Sequence, residues 1–115
     1  MQLKLIFMLQ KLPGEKKGKT NGEITEKEIY VLRLFITGIL PNSVRAVINI
    51  RAICEQHLKG RYELEVIDIY QQPSLTLTEN IIAVPVLIKK FPLPEERVIG
   101  DLSDTQKVLE GLHLI

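Results

Sequence analysis

The hydrophobic pattern divides the chain at about residue 28. Ile29 to Ile36 is an apolar run rich in β-branched and aromatic residues with few polar interruptions, as expected of an interior strand, and Thr37-Gly38 ends it. A helix follows. Pro41 stands at its start, where a fixed φ helps, and Asn42 or Ser43 is expected to cap the free N–H groups. Val44, Val47, Ile48, Ile50, Ala52, Ile53 and Leu58 give it a broad apolar surface, and Gly60 is placed to stop it in a left-handed conformation. Residues 62–69 alternate apolar and polar, then become apolar, which predicts a second strand with Asp68 near its end. Strand, helix and strand in about 40 residues make a right-handed parallel βαβ unit.

The second half carries mixed signals. Gln71 to Ser74 is a turn, and residues 75–82 combine strand formers (Thr76, Thr78) with residues that allow a short helix (Leu75, Leu77, Glu79, Asn80). Val84 to Ile88 reads as a strand with a proline near its start. Pro92 and Pro94 make a turn, and residues 97–100 are a short strand. Ser103 is expected to cap a last helix running to Leu112, with Val108, Leu109 and Leu112 inside. The order β-α-β-(α)-β-β-α matches an α/β thioredoxin-like fold, in which Val84-Pro85 is the candidate cis bond.

Residues 1–28 read differently. The uninterrupted apolar run Leu5–Leu9 is shorter than a signal-peptide core, no small-residue cleavage site follows, and no stretch suffices to span a bilayer. Residues 13–27, rich in Gly, Lys, Glu, Thr and Asn, read as a linker, so 1–28 is expected to be a flexible extension and 29–115 the domain.

Composition narrows the function. The net charge of +1 is split: residues 1–28 carry +2 and the domain −1, so the domain lacks the basic excess that nucleic-acid binding requires. One cysteine, Cys54, forms neither an internal disulfide nor a CxxC pair, and with two distant histidines it makes a poor metal set. A disulfide-free chain suits a reducing cytoplasm. In thioredoxin-like enzymes the thiols follow the first strand; here Thr37 to Ser43 holds no cysteine, which excludes disulfide exchange there. Cys54 reads as a small buried hydrophobe, and only as a degenerate thioredoxin would the chain use it. His57 suits a helix C-terminus, and His113 has no evident partner. Gly38 alone is weak evidence for an anion site. Asp68, Asp101 and Asp104 assemble no acid–base pair, since Asp101 and Asp104 flank a helix start and serve as caps. The reading is a protein-binding domain with no catalytic site, cofactor or metal, outside the membrane.

The segments Tyr30–Gly38, Pro41–Ala46, Leu64–Ile69, Gln72-Pro73, Ile82–Leu87, Pro92–Pro94, Arg97–Ser103 and Lys107–Leu112 resemble KaiB proteins over about residues 29–115. The resemblance implies a non-enzymatic partner of a KaiC-type ATPase, modulating its phosphorylation cycle in a clock-like or stress-adaptation pathway. It implies two folds, a thioredoxin-like one that binds the partner and a free homodimeric or homotetrameric one with a rearranged C-terminal half. Surplus apolar surface in so small a domain also points to self-association. By the same resemblance Tyr30, Arg45, Tyr62, Lys89 and Arg97 are expected to contact the partner, and Pro85, Gly100, Asp101 and Gly111 to shape the fold. The chain departs from clock relatives at Glu28, Glu65, Asn80 and Glu96, where basic residues are usual, and at His113, where an acid is common. Charge reversal on a docking face costs association rate. The alternative is a stand-alone relative of the KaiB-like sensor domain of clock histidine kinases, permanently thioredoxin-like and reading another signalling protein.

Overall fold

A computed structural model describes residues 28–115; the expected linker and the opening apolar run lie outside them. Seven elements follow in order: β1 (Tyr30–Ile36), α1 (Pro41–His57), β2 (Tyr62–Asp68), α2 (Pro73–Thr78), β3 (Val86–Phe91), β4 (Glu96–Ile99) and α3 (Thr105–Gly111). The ambiguous 75–82 stretch divides into α2 and the loop after it. Pro73 starts that helix because its missing N–H is no loss in a first turn.

The strands lie in the order β2-β1-β3-β4. β1 pairs parallel with β2 (Leu34 beside Val66) and antiparallel with β3 (Leu34 beside Leu87), and β3 pairs antiparallel with β4. This is the thioredoxin-like arrangement that the element order anticipates, and the C-terminal half completes its sheet. Val84-Pro85 is cis, as expected, and so are Phe91-Pro92 and Leu93-Pro94. β3 begins at Val86, two residues later than the expected Val84, and runs on to Phe91.

β1 is buried on both faces. Tyr30, Leu32 and Leu34 point to the side covered by α1 and α3, where they meet Ala46, Ile50, Ile53, Cys54, Leu58, Val108, Leu109 and Leu112. Phe35 points the other way and joins Ile67, Val86 and Ile88, with Leu75 of α2 packed over them. The period of two along β1 therefore builds two cores of unequal size.

Two expected caps are corrected. Leu40 occupies the N-cap of α1 with no side-chain bond, and Ser43 turns inward, where its Oγ accepts from Thr37 N at 3.0 Å. The cap of α3 is Asp104, whose Oδ1 accepts from Lys107 N at 3.2 Å; Ser103 N is spent on Asp101 Oδ1 at 3.0 Å. Gly60 has the expected left-handed φ of 80°. Gly111 serves packing: α3 crosses β4 there so closely that a β-carbon would stand 2.6 Å from Val98 Cγ2.

Candidate protein-docking surface

Parallel pairing of β1 with β2 brings their C-terminal ends together, Ile36 beside Asp68, and antiparallel β3 starts at the same end, Val86 beside Phe35. The loops after β1 and β2 and before β3 therefore share one end of the sheet. Each exposes a large apolar side chain: Ile39 (89% exposed), Tyr70 (75%) and Ile82 (87%). Leu40, Val44 and Ile48 continue the apolar character along the outer side of α1 at i, i+4 spacing. Grouped exposure of this kind marks surfaces that meet other proteins.

The same end carries a set of polar braces. Gly100 N donates to Pro85 O at 2.9 Å, joining the cis-proline loop to the turn after β4. Gly100 adopts a φ of 120°, a conformation that glycine takes without a side-chain clash. Asp101 Oδ2 then accepts from Arg45 Nε at 3.0 Å, and its carbonyl accepts from Asn49 Nδ2 at 2.9 Å, so α1 is tied to the β4–α3 turn. Hydrogen bonds from Ser103, then from Arg45, hold the Asp101 carboxyl below its ordinary pKa. Asp101 is thus a turn former rather than a helix cap.

The five residues expected to contact a partner are scattered and differ in exposure. Tyr30 is buried, and its hydroxyl donates to Leu112 O at 3.2 Å. Burial pushes its pKa up, and the Arg61 guanidinium lies 5.7 Å from its ring centroid. Lys89 is 1% exposed, on the α1 side of β3 between Leu32 and Glu96 in the ladders. Neither presents a side chain to a partner in this fold, because the period of β1 and β3 turns both inward. Tyr62 is half-buried and donates to Glu55 Oε2 at 2.6 Å. That bond, with some burial, raises its pKa to about 12. Arg45 is open at the braced end, and Arg97 lies on β4 with its guanidinium on Glu79 O at 2.6 Å and Asn80 O at 3.3 Å.

Of the positions of unusual charge, Glu65 and Glu96 meet other side chains within the chain, whereas Glu28 and Asn80 are held through their backbone carbonyls. Arg33 Nε lies 3.4 Å from Glu65 Oε1, and Glu28 O accepts from Arg61 at 3.5 Å. His113, for which the sequence shows no evident partner, places Nε2 3.3 Å from Glu96 Oε2. Sequence reasoning missed Glu79, whose carboxylate accepts from both Arg33 and Lys90; the one signal was Arg33, a charge inside an otherwise apolar strand. Cys54 is fully buried, and burial pushes its thiol pKa to about 12, so it lacks the accessible thiolate that a degenerate thioredoxin would need. Among the described residues no three His, Cys, Asp or Glu side chains gather as a metal site, and no helix is long and apolar enough to cross a membrane.

Residues 33–114 match the KaiB domain family. The chain is 47% identical over 89 residues to the circadian clock oscillator protein KaiB of Prochlorococcus marinus strain MIT 9312, covering 77% of this chain and 85% of that one. It is 45% identical over 92 residues to the KaiB of Synechococcus elongatus strain PCC 7942, covering 80% and 90%. Among solved structures, the N-terminal domain of Synechococcus elongatus SasA superposes with a TM-score of 0.55 at 28% identity, covering 76% of this chain and 87% of that domain. The germline-specific thioredoxin Deadhead of Drosophila melanogaster superposes with a TM-score of 0.62 at 11% identity, covering 81% and 86%, which shows a shared fold.

Proposed function

The chain belongs to the KaiB family, and from that membership we propose that it is a non-enzymatic regulatory protein that binds a KaiC-type ATPase and modulates its phosphorylation cycle. The observation that carries this reading is the near-half identity to circadian clock oscillator proteins across the folded domain. The physical support is the end of the sheet. Where a thioredoxin places its reactive cysteines, this chain has Thr37 to Leu40, with Ile39 exposed, as are Tyr70 and Ile82 in the loops after β2 and before β3. Such a surface suits docking, not thiol exchange. The setting is a clock-like or stress-adaptation pathway in the cytoplasm.

Glu65 faces Arg33 within the chain, which tempers the negative charge it adds to a docking face. The cognate ATPase ring is expected to carry basic residues opposite Glu28, where clock-type rings meet a basic residue. Free protein is proposed to form a homodimer or homotetramer.

The test is size-exclusion chromatography with light scattering, alone and with the cognate ATPase plus ATP. Co-elution of the native chain, lost in Ile39→Glu and Ile82→Glu variants that keep the native circular dichroism, supports the reading. A native chain that never joins the ATPase overturns it. A 13.1 kDa species alone at micromolar concentration overturns the proposed oligomer.

The second reading, a stand-alone adaptor for another signalling protein, is favoured by the likeness to the SasA N-terminal domain. It predicts a monomer that ignores the ATPase.

A further inference from the structure

The sheet face opposite α1 is built in two parts. One is apolar, formed by Phe35, Ile67, Val86 and Ile88. The other is charged: Arg33 of β1 lies beside Glu65 of β2, and Lys90 and Arg97 stand on β3 and β4. The helix α2 covers the apolar part, yet none of its own six residues is buried. Leu75 is half-buried over the core and Leu77 faces solvent. So short a helix has little stability of its own and depends on what it packs against.

What holds it is concentrated at its C-terminal end. The Glu79 side chain, 10% exposed, accepts from Arg33 Nη1 at 2.8 Å and from Lys90 Nζ at 3.0 and 3.1 Å. Arg97 grips the backbone of the same turn through the carbonyls of Glu79 and Asn80. Glu95 completes the group with contacts to Lys90 and Arg97. Three strands are thus joined to one carboxylate and one helix end, a charge-assisted arrangement of the stronger kind.

We propose that α2 is a lid latched by Glu79, which opens as a unit over residues 73–82 and exposes the Phe35–Ile67–Val86–Ile88 face while the rest of the sheet stays intact. Elements with few buried apolar contacts open at lower free energy than the core. Here the apolar anchor is Leu75 with Ile81, and the polar anchor is the Glu79 carboxylate together with the Arg97 grip on the Glu79 and Asn80 carbonyls. Removing the carboxylate charge releases Arg33 and Lys90 together and leaves the helix end held by Arg97 on the backbone carbonyls alone.

Hydrogen exchange followed by mass spectrometry on the intact chain tests it. The amides to follow are those of Thr76, residue 79 and Ile81, bonded to Gln72 O, Leu75 O and Thr76 O, against those of the β1–β2 ladder. In the native chain the 73–82 amides are expected to exchange ahead of β1. Glu79→Gln, and independently Lys90→Gln, should speed them by about tenfold or more with β1 unchanged. Native 73–82 amides that exchange no faster than β1, or variants that accelerate both segments equally, overturn the lid. So does a Glu79→Gln chain whose 73–82 amides keep the native rate.

Discussion

Gly111 and Val98 are in such close approach that the contact admits no side chain on the helix side: a β-carbon at Gly111 would stand 2.6 Å from Val98 Cγ2. Val98 is buried and β-branched, so its methyl has no free rotamer to escape into. Gly111→Ala is expected to lower stability by about 1–3 kcal/mol, in the range of core overpacking, even though alanine favours helix. Urea unfolding measures it. A Gly111→Ala, Val98→Ala pair should recover part of the clash loss.

Asp101 links acid stability to the brace between α1 and the β4–α3 turn. Its folded pKa is lowered by Ser103 and then Arg45, so its contribution is present above the ordinary value of 3.8 and fades as pH falls through the folded one. The unfolding midpoint of the native chain should exceed that of Asp101→Asn near neutral pH. The gap should close as pH drops below 3.8. A gap that stays constant down the acid limb would contradict the assignment.

Tyr62 should be among the last tyrosines to ionise. Its hydrogen bond to Glu55 stabilises the neutral phenol and moves its pKa from 10.0 to about 12. A raised folded pKa means that this contribution is complete below the unfolded value and is lost as pH rises through the folded one. In an ultraviolet difference titration, Glu55→Gln should shift the Tyr62 midpoint down toward 10.0, and Tyr62→Phe should remove that step.

Cys54 is expected to resist alkylation in the native protein at neutral pH and to react at once in denaturant, since burial both shields it and pushes its pKa to about 12. Mass spectrometry after brief iodoacetamide treatment reads this directly. Cys54→Ser should cost about 1–3 kcal/mol by placing a hydroxyl in an apolar core. Rapid native labelling would revive a thiol-based activity.

The core strands and α1 were legible in the pattern because burial demands it: an interior strand must be apolar on both faces, and Ile29 to Ile36 is so except at Arg33. Residues 75–82 were not legible. A half-covered six-residue helix needs no apolar stripe, and its hold on the sheet comes from Glu79, whose partners are 46, 11 and 18 positions away. The burial of Tyr30 and Lys89, two residues that the family resemblance assigns to partner contact, was not legible for a related reason. Matched residues say nothing of which way a side chain points, and the strand period turns both inward in this fold.

By itself, then, the sequence determined where β1, α1, β2 and the last helix fall, that β1 and the inner face of the last helix enter the core, that the redox cysteines are missing, and which family the chain resembles. Those follow from local periodicity, residue identity and matched blocks. Tertiary structure alone decided that the ends of β1 and β2 and the start of β3 share one end of the sheet, that Asp101 ties a turn to α1, and that Glu79 gathers Arg33 and Lys90. Those relationships depend on strand order and register, which bring together side chains that no sequence window contains.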